Sequence, residues 1–354
     1  MRRLWKRRRK PRTEAVRLLL VTDAWYPQIN GVVRALSTTM ERFESLGHEV
    51  AVLAPDRFRN VPCPTYPEIR LALCTPDRVG RIIQQEDPDA VHIATEGPLG
   101  LASRRWLMKR GKAFTTSFHT LFPQYLNLRF KIPQNWTFAG VRWFHSAAAA
   151  TMYSTPTLAA MLEAHGFRNL VQWVRGVDTE LFRPLEPVAL NLPRPIQLYV
   201  GRVAVEKSLD DFLGLDTPGS KVIIGDGPAK QVLENRFPDA HFLGSKFGDD
   251  LVAHYCAADV FVFPSRTDTL GLVMLEAMAC GIPVAAFPVH GPLDVVADSA
   301  AGMLSENLAA AILAATQIES EVCRERALEH SWDQSVIEFE RNLVSARPGV
   351  QLTN

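Results

Sequence analysis

The feature that most constrains the fold is a regular alternation of short apolar runs with longer segments of helical spacing. In the first half, residues 33–47 show amphipathic helical spacing and end at a glycine. The apolar runs are VRLLLVTD (16–23), HEVAVLAP (48–55), DAVHIAT (89–95) and AFTTSFHT (113–120), and a helical segment separates the last two. This alternation predicts a parallel β-sheet with helices on both faces.

A second series of the same kind begins near residue 196. Its apolar runs are IQLYVGR, KVIIGDG, AHFLG, DVFVFPS and IPVAAFP. Between the two series lies RPLEPVALNLPRP (183–195), whose prolines interrupt helices and sheet ladders and so predict a linker. We therefore expect an α/β protein with two Rossmann-like parallel-sheet domains. A ligand cleft should lie between them, at the carboxyl ends of the strands.

The chain of 354 residues suits two domains of roughly 150 residues each. The predicted division is a basic N-terminal arm (1–15), an N-terminal domain (16–182), the linker (183–195), a C-terminal domain (196–330) and a closing helix with a serine cap (331–345).

Basic residues are concentrated at the N-terminus. Eight of the 39 Lys and Arg residues lie within residues 1–12, which leaves 31 against 38 acidic residues and a formal charge of −7 in the rest of the chain. An acidic body of this kind is not expected to bind nucleic acid. The arm is either a solvated tail or a segment attracted to an anionic membrane surface. Nucleic-acid binding by the arm is the weaker alternative.

Cysteine spacing and hydropathy bear on the compartment. The five cysteines form no C-x-x-C pair, which favours neither a disulfide framework nor a zinc site. We expect a cytoplasmic location, with peripheral association at the inner face of the membrane if the arm binds lipid. The chain contains no run of 18 apolar residues, so no transmembrane helix is expected.

The segment PSRTDTLGLVMLEAMACGIPV (264–284) is the strongest candidate site. Residues 270–280 are apolar around nearly the whole helical circumference, so this helix should be buried. Glu276 is its only charged residue, and a buried carboxylate needs hydrogen-bond donors. Those donors are either protein groups, such as a backbone amide or an arginine, or ligand hydroxyls such as those of a ribose.

The start of the same helix suits a polar or anionic ligand. Asp268 precedes the helix and offers a second carboxylate. Backbone amides at a helix N-terminus favour negative charge. The amides expected there are those of Thr269, Leu270 and Gly271.

A second candidate site lies in YVGRVAVEKSL (199–209). Arg202 directly follows a predicted strand, and Lys207 lies five residues later, near a helix start. Two cations at such a junction suit a diphosphate, because arginine binds phosphate as a fork and lysine as a point charge. The alternative is a pair of surface cations, one of them paired with Glu206. In GDGP, Gly225 either allows close backbone approach to a phosphate or forms a simple turn.

The N-terminal domain contributes candidates after two of its strands. In TDAWYPQINGVVRAL (22–36), Gly31 either brings backbone close to a phosphate or forms a structural turn. His119 ends the FTTSF run, where it either faces the cleft or is a satisfied core residue. Tyr125 and Arg129 lie in LFPQYLNLRFKIP, which suits an acceptor, a lipid surface or an ordinary surface helix.

Three further patterns narrow the chemistry. DPD (87–89) has the form of a metal-binding D-x-D motif, but it precedes the strand AVHIAT, so we interpret it as a turn and expect no metal site. The chain contains no G-x-x-x-x-G-K-[ST] loop, which argues against a kinase or ATPase. It also contains no G-x-S-x-G elbow.

Together these motifs resemble those of the retaining glycosyltransferases of the GT-B fold, in the family 4 group of bacterial mannosyl-, glucosyl- and glycolipid transferases. The resemblance extends from about residue 16 to 345. It is carried by GVV after YPQIN, GHEV (47–50), PDAVHIATEGPLG (88–100), TSFHT (116–120), RGVDTELFRP (175–184), GRVAVEK (201–207), GDGP and RTDTLGLVMLEAMACGIPV. The last of these resembles the family's E-x7-E signature and is the most specific.

The resemblance implies roles for the donor-site candidates. Arg202 and Lys207 would bind the donor diphosphate, and Glu276 would bind the ribose. Asp268 and the amides near Gly271 would bind the transferred sugar. Asp268 stands where the family signature has Glu, which shortens the reach of the carboxylate by one methylene and leaves the sugar open.

For the N-terminal domain, the resemblance implies that Gly31 approaches the phosphates and that His119 lies beside the anomeric centre. Only one glycine, Gly31, stands where many relatives have two.

The resulting hypothesis is transfer of a hexose (mannose, glucose, galactose or a uronic acid) from a UDP- or GDP-sugar to a lipid or glycan acceptor. Configuration would be retained, and neither a metal nor another cofactor would be needed. The donor would bind mainly to the C-terminal domain and the acceptor to the N-terminal domain, and closure would exclude water. The alternatives are a nucleotide-sugar epimerase, a phosphorylase, a non-catalytic nucleotide-sugar or lipid-binding protein, and a dinucleotide oxidoreductase, which the broken glycine pattern disfavours.

Overall fold

The structure is a computed structural model of the chain. It describes residues 15–28, 30–63, 66–296, 299–347 and Leu352. The predicted basic arm lies outside the described residues, apart from Ala15.

The first half of the described chain forms one parallel sheet and a small hairpin. Its strands are β1 (Arg17–Val21), β2 (Glu49–Leu53), β3 (Asn60–Cys63), β4 (Tyr66–Ala72), β5 (Ala90–Ile93), β6 (Thr115–Ser117), β7 (Ala150–Tyr153) and β8 (Leu170–Gln172). The sheet order is β2-β1-β5-β6-β7-β8, and all neighbouring pairs are parallel. The strands β3 and β4 pair with each other in antiparallel orientation.

The helices between these strands begin and end at recognisable sequence signals. They are α1 (Gly31–Ser45), α2 (Pro76–Glu86), α3 (Pro98–Lys109), α4 (Phe122–Phe130), α5 (Gln134–His145) and α6 (Pro156–Ala164). Three of them start with proline, whose fixed φ suits the first helical position and whose missing N–H needs no partner there. After α1, Gly47 has a φ of 97°, a left-handed conformation that ends the helix.

The second half repeats the arrangement. Its strands are β9 (Ile196–Val200), β10 (Ser220–Ile224), β11 (His241–Phe242), β12 (Val260–Phe263), β13 (Val284–Ala286) and β14 (Gly302–Leu304). Its helices are α7 (Leu209–Leu213), α8 (Lys230–Arg236), α9 (Gly248–Cys256), α10 (Leu272–Ala279), α11 (Pro292–Val295), α12 (Leu308–Ala315) and α13 (Ser320–Leu328). The sheet order is β11-β10-β9-β12-β13-β14, again parallel throughout. The predicted class, α/β with two Rossmann-like parallel sheets, is confirmed.

The last helix, α14 (Trp332–Asn342), returns to the first sheet. The Ser331 side chain accepts a hydrogen bond from the Asp333 amide, as a serine cap should, and the helix ends three residues before the predicted residue 345. Phe339 of α14 is fully buried in a core cluster with Leu18 of β1. Helix α14 therefore contributes to the hydrophobic core of the N-terminal half of the molecule.

Several short elements were not predicted. No long apolar run in the sequence marks the strands β7, β8 and β14 or the β3–β4 hairpin, and β8 has only three residues. Neighbouring strands specify these elements, because a pairing partner stabilises a short strand that has no strong propensity of its own. Residues 183–195 contain no described helix or strand, and the domain limits stay a prediction.

Candidate functional site

Two loops at the carboxyl edge of the second sheet bring Lys207 and Asp268 together. The loops follow β9 and β12, which are hydrogen-bonded neighbours. The Lys207 Nζ lies 2.5 Å and 2.7 Å from the two carboxylate oxygens of Asp268. Only 18% of the Lys207 side chain is exposed, so it is not a surface cation. Burial alone would lower the pKa of Lys207, but the Asp268 carboxylate outweighs burial, so the pKa is raised and the ammonium stays charged.

The predicted buried helix is confirmed as α10, and Glu276 lies on it almost completely buried. Its Oε1 accepts from Arg34 Nη1 at 2.7 Å, and its Oε2 accepts from the Tyr255 hydroxyl at 3.1 Å. Arg34 belongs to α1 in the first half of the chain, so this ion pair joins the two halves. An arginine partner was one of the two predicted alternatives. A ligand remains the other, because a carboxylate has about four lone-pair positions.

Arg34 and Glu276 also line a cavity between the two halves. Its volume is about 140 Å³, and Phe182 and Trp332 form part of its wall. The Arg34 guanidinium lies over the Phe182 ring, 4.9 Å from its centre. The ring, the arginine and the carboxylate thus line the same space.

The loop before α10 differs from the prediction in where the helix begins. The helix starts at Leu272, and Gly271 precedes it with a φ of 83°. A side chain at Gly271 would collide with the Phe263 ring, so both the left-handed backbone and the close packing need glycine here. The predicted amides of Thr269 and Leu270 therefore lie in the loop before the helix, not in its first turn.

Thr269 instead connects the two halves. Its Oγ1 donates to the backbone oxygen of His119 at 2.9 Å, and its own backbone oxygen accepts from Ser154 Oγ at 3.3 Å. Nearby, the Thr157 amide donates to Asp294 Oδ1 at 3.1 Å. These contacts place the loop before α10 directly against the ends of β6 and β7.

The His119 ring is partnered at both nitrogens. Its Nε2 lies 2.7 Å from Ser117 Oγ, and its Nδ1 lies 3.3 Å from Arg175 Nη2. Because a guanidinium only donates, Nδ1 must accept, so the proton resides on Nε2. Burial, then the charge of Arg175, hold the pKa of His119 well below its ordinary value. The ring is therefore neutral, and the part of His119 that contacts Thr269 in the loop before α10 is its backbone carbonyl.

Arg175 is itself held by its surroundings. It lies over the Trp173 ring at 3.3 Å and donates to the Trp173 backbone oxygen at 3.0 Å. Burial lowers the pKa of Arg175 to about 9. A cation packed this closely fixes the orientation of His119.

The two acceptor candidates have different outcomes. Tyr125 lies on α4, and its hydroxyl is near enough to Thr267, Lys207 and Asp268 for each of them to affect its pKa. Burial raises the pKa of Tyr125 to about 12, so the hydroxyl keeps its proton. The structure therefore brings Tyr125 to the loop before α10 rather than to an outer surface. The side chain of Arg129 lies outside the described part of the chain.

The two glycines at the predicted phosphate positions, Gly31 and Gly225, lie in different surroundings. The Asn30 side chain accepts from the Val32 and Val33 amides, and Gly31 begins α1, where an added side-chain carbon would meet no atom within 4 Å. Gly31 is thus exposed to an open space. At Gly225, a side chain would lie 1.9 Å from the backbone oxygen of Gly201, so packing of the β9 and β10 loops alone explains this glycine. Arg202 is half-buried in the same loop region, and its backbone oxygen accepts from Tyr199.

The D-x-D motif lies in the short connection between α2 and β5. Asp87 adopts a left-handed conformation after α2, and Asp89 Oδ2 accepts from the Arg17 amide at 3.0 Å. Across the described ranges, no group of three His, Cys, Asp or Glu residues is arranged to hold a metal ion. No helix of the described chain is both long and apolar enough to cross a bilayer.

Comparison with known proteins assigns the family. A family model described as glycosyltransferase family 4 matches residues 29–181, and one described as glycosyl transferases group 1 matches residues 194–318. A GDP-mannose-dependent alpha-mannosyltransferase of Mycobacterium tuberculosis (strain CDC 1551 / Oshkosh) is 31% identical over 317 residues, which cover 82% of this chain and 83% of that protein. The chain belongs to the family 4 glycosyltransferases.

Other members of the family and its fold support this assignment. An alpha-monoglucosyldiacylglycerol synthase of Acholeplasma laidlawii is 27% identical over 320 residues, covering 76% of this chain and 79% of that protein. The structure of a sucrose-phosphate synthase from Thermosynechococcus elongatus superposes with a TM-score of 0.73 at 19% identity, covering 92% of this chain and 98% of that one. The two parallel sheets are thus those of the GT-B fold, and the expected resemblance to family 4 glycosyltransferases is confirmed.

Three residues of the candidate site were not predicted from the sequence. Arg34 lies on an ordinary amphipathic helix, and Tyr255 lies on a helix twenty-one positions from its partner Glu276. Neither position carries a local signal. Arg175 begins RGVDTELFRP, so its motif was noticed, but its contact with His119 spans fifty-six positions and depends on the folded sheet.

Proposed function

We propose that this glycosyltransferase transfers a hexose from a nucleotide-diphosphate sugar to a lipid or glycan acceptor, with retention of the anomeric configuration. The names of two relatives support this proposal: one depends on GDP-mannose, and the other makes a glucosylated diacylglycerol. We therefore propose GDP-mannose as the first donor to test and a diacyl lipid as the first acceptor class. UDP-sugars are the second donor class.

The observation that carries the proposal is the contact of a buried ammonium with a carboxylate in the loop before a buried helix, which itself carries a second, buried carboxylate. Lys207 and Asp268 are in contact, Asp268 lies four residues before α10, and Glu276 lies within α10. An ammonium neutralises charge that develops on a leaving diphosphate. A buried carboxylate with spare lone pairs accepts hydrogen bonds from ribose hydroxyls.

The remaining roles are those predicted from the sequence. Lys207 and Arg202 bind the diphosphate, so their charge performs the task for which other enzymes use a metal ion. Glu276 binds the ribose and Asp268 the transferred sugar. The further donor contacts are Gly31, Gly225, Thr269, Leu270 and Gly271, and the acceptor contacts are Tyr125 and Arg129.

His119 acts as a neutral positioning group beside the anomeric carbon. Its ring orientation is set by Ser117 and Arg175, and its backbone oxygen is held by Thr269. In the proposed step, the bond from the anomeric carbon to the diphosphate oxygen breaks and the acceptor hydroxyl oxygen bonds to the same face of that carbon. The hydroxyl proton passes to the leaving diphosphate. The contact between Thr269 and His119 closes the site against water, which would otherwise hydrolyse the donor.

We also propose that the two functional units follow the predicted limits, with the acceptor on residues 16–182 and the donor on residues 196–330. A lipid acceptor requires the protein to work at a membrane surface, which is compatible with a cytoplasmic enzyme bound peripherally. The predicted contribution of residues 1–12 to that binding stays a prediction.

The proposal is tested by incubating the full chain with GDP-mannose, UDP-glucose, UDP-galactose or UDP-glucuronate and a membrane lipid extract. Products are identified by mass spectrometry, and their anomeric configuration by NMR. We expect a new α-linked glycolipid with one donor. Glu276→Gln and Lys207→Met should lose at least about 100-fold in rate because each removes a proposed donor contact. The exposed substitution Asp250→Asn, which breaks a surface pair 3.4 Å long, should have no effect.

Two results would contradict the proposal. Conversion of the donor sugar without any acceptor would indicate an epimerase. Calorimetric binding of a nucleotide sugar with no product from any extract would indicate a non-catalytic binding protein.

A further inference from the structure

The carboxylate of Glu276 is held by donors from two separate helices. Arg34 Nη1 of α1 lies 2.7 Å from its Oε1, and the Tyr255 hydroxyl of α9 lies 3.1 Å from its Oε2. Burial, then the charge of Glu276, holds the pKa of Tyr255 well above its ordinary value, so the hydroxyl keeps its proton and donates. Each carboxylate oxygen therefore has one fixed donor, and the two donors set the orientation of the carboxylate plane.

Arg34 reaches this carboxylate from the other half of the chain. It lies on α1, three residues after Gly31, which begins the helix and is a proposed donor contact. Residues three apart are neighbours on the surface of a helix, so α1 presents both positions to the same region. The contact between Arg34 and Glu276 is thus made where the two halves meet, beside the proposed donor site.

The surroundings fix the guanidinium of Arg34 in this position. It lies over the ring of the fully buried Phe182, 4.9 Å from the ring centre. An aromatic face attracts a cation without using its N–H groups, which stay available as donors. The Glu276 side chain is only 4% exposed, so Arg34 balances the charge of a carboxylate that is almost completely out of water.

The Glu276 carboxylate keeps hydrogen-bonding capacity beyond these two contacts. A carboxylate has about four lone-pair positions, and Arg34 and Tyr255 occupy one on each oxygen. Arg34 and Glu276 both line the cavity of about 140 Å³ between the two halves, and 40% of the Arg34 side chain is exposed. A ligand in that space can therefore bind the carboxylate while the ion pair remains.

We propose that Arg34 is a positioning residue for the donor ribose: it holds Glu276 so that the remaining lone pairs of the carboxylate accept from the ribose hydroxyls. Because Arg34 belongs to the other half, tight binding of the ribose then requires the two halves to be in contact. This role rests on the proposed function for the assignment of the ribose to Glu276. It adds that a residue of the proposed acceptor half controls the affinity for the donor.

Removal of the guanidinium should act on ribose hydroxyls alone. Without Arg34, the carboxylate of Glu276 loses both the donor that fixes its Oε1 and the charge that balances it. Nucleotides that carry ribose hydroxyls should then bind more weakly, whereas nucleotides without these hydroxyls should bind as before. If Arg34 instead occupied the ribose position and had to be displaced, its removal would strengthen binding of the ribonucleotides.

The test compares the Kd values of GDP and UDP with those of their 2′,3′-dideoxy analogues, measured by isothermal calorimetry on the full chain. The variants are Arg34→Gln, Arg34→Lys, Glu276→Gln, and Arg34→Gln combined with Glu276→Gln. The ratio of the two Kd values within one variant reports the ribose hydroxyls and does not depend on how much of the protein is folded. The matched control is Arg42→Gln, which breaks the ion pair of Arg42 with Asp333 about two turns further along α1.

We expect wild type and Arg42→Gln to bind the ribonucleotides at least about tenfold more tightly than the dideoxy analogues, because hydrogen bonds to a charged group are strong. Arg34→Gln should reduce this preference to about twofold or less, since the carboxylate is no longer held. Arg34→Lys keeps a cation and should restore most of the preference. In the Glu276→Gln background, Arg34→Gln should cause no further loss, because Arg34 acts through the carboxylate.

Three results would overturn the role of Arg34 alone: a preference that is unchanged or stronger in Arg34→Gln, an equal loss in Arg42→Gln, or a loss that persists in full in the Glu276→Gln background. An unchanged preference with a lower Tm would assign the ion pair to stability. Failure of the proposed function gives a different pattern. A wild-type chain that binds the ribonucleotides and the dideoxy analogues equally, or binds neither, rejects Glu276 as the ribose ligand and Arg34 with it.

Discussion

Replacing Asp268 by Asn separates the two roles proposed for the ion pair at the site. The substitution keeps the size of the side chain and removes the carboxylate charge that contacts Lys207 Nζ at 2.5 Å and 2.7 Å. The ammonium can then interact with a diphosphate without a competing anion, whereas the transferred sugar loses its carboxylate partner. We expect Asp268→Asn to bind UDP or GDP more tightly than wild type and to transfer sugar more slowly.

The size of the effect follows from the distances. A phosphate oxygen that contacts the Lys207 ammonium from the other side lies about 5 Å from the Asp268 carboxylate, since each is at hydrogen-bond distance from the same nitrogen. Two unit charges at about 5 Å repel by about 3 kcal/mol at an effective dielectric constant of about 20. Partial exposure of Asp268 screens this repulsion, because 17% of its side chain is in contact with solvent. If half of the repulsion remains, the Kd falls about tenfold.

The assay is isothermal calorimetry with UDP and GDP, together with uridine and guanosine, which have no phosphate. The nucleosides should bind wild type and Asp268→Asn equally, so they report any general damage to the site. Asp250→Asn is the matched control for loss of one acidic charge in the same half of the chain. A diphosphate Kd that is unchanged or higher in Asp268→Asn would refute the assignment of Lys207 to the diphosphate.

Three further predictions concern buried groups. Arg175→Gln should move the acid limb of the kcat/KM profile to higher pH, because it removes a positive charge that lowers the pKa of His119 while burial remains. Arg175→Lys keeps the charge and should restore the wild-type profile. Superimposable profiles for wild type and Arg175→Gln would contradict this prediction. Burial raises the pKa of Asp23 from 3.8 to about 6. The contribution of Asp23 to the free energy of unfolding is therefore fully present below pH 3.8 and falls by about 3 kcal/mol as the pH rises through 6. In denaturant titrations, Asp23→Asn should therefore gain stability relative to wild type between pH 4 and pH 7, and a constant difference would be the negative result. Phe339→Ala should lower the free energy of unfolding by about 3–5 kcal/mol, because it removes a fully buried ring. Ile337 lies on the same helix but is partly exposed, so Ile337→Ala should lower it far less. Equal losses would show that α14 does not close the first sheet.

Much of the fold was predictable because its signals are local. The runs that became β1, β2, β9, β10, β12 and β13 are short, apolar and bounded by turn residues, and a parallel sheet buried on both faces requires such runs. In α10, the unbroken apolar circumference indicated a buried helix, and the one charged residue in it stood out for that reason. The strands β7, β8 and β14 were missed because their pairing, not their composition, makes them strands.

The candidate site was predicted in part. The chemistry of Lys207, Asp268 and Glu276 was visible in the sequence, since each is a charged residue next to a buried element. Their partners were not visible. That Asp268 contacts Lys207, and that Arg34 contacts Glu276, depends on how separate loops and the two halves of the chain meet.

By itself, the sequence determined the class of fold, the two-part organisation and the residue types that a nucleotide sugar needs, because periodicity and charge within a window of some ten residues are enough to specify them. Only the tertiary structure decided which of those groups touch. It showed that the His119 ring is partnered at both nitrogens and that the His119 backbone oxygen accepts a hydrogen bond from Thr269. The physical reason is that these side-chain contacts depend on how elements far apart in the chain pack together, and no local sequence pattern encodes that packing.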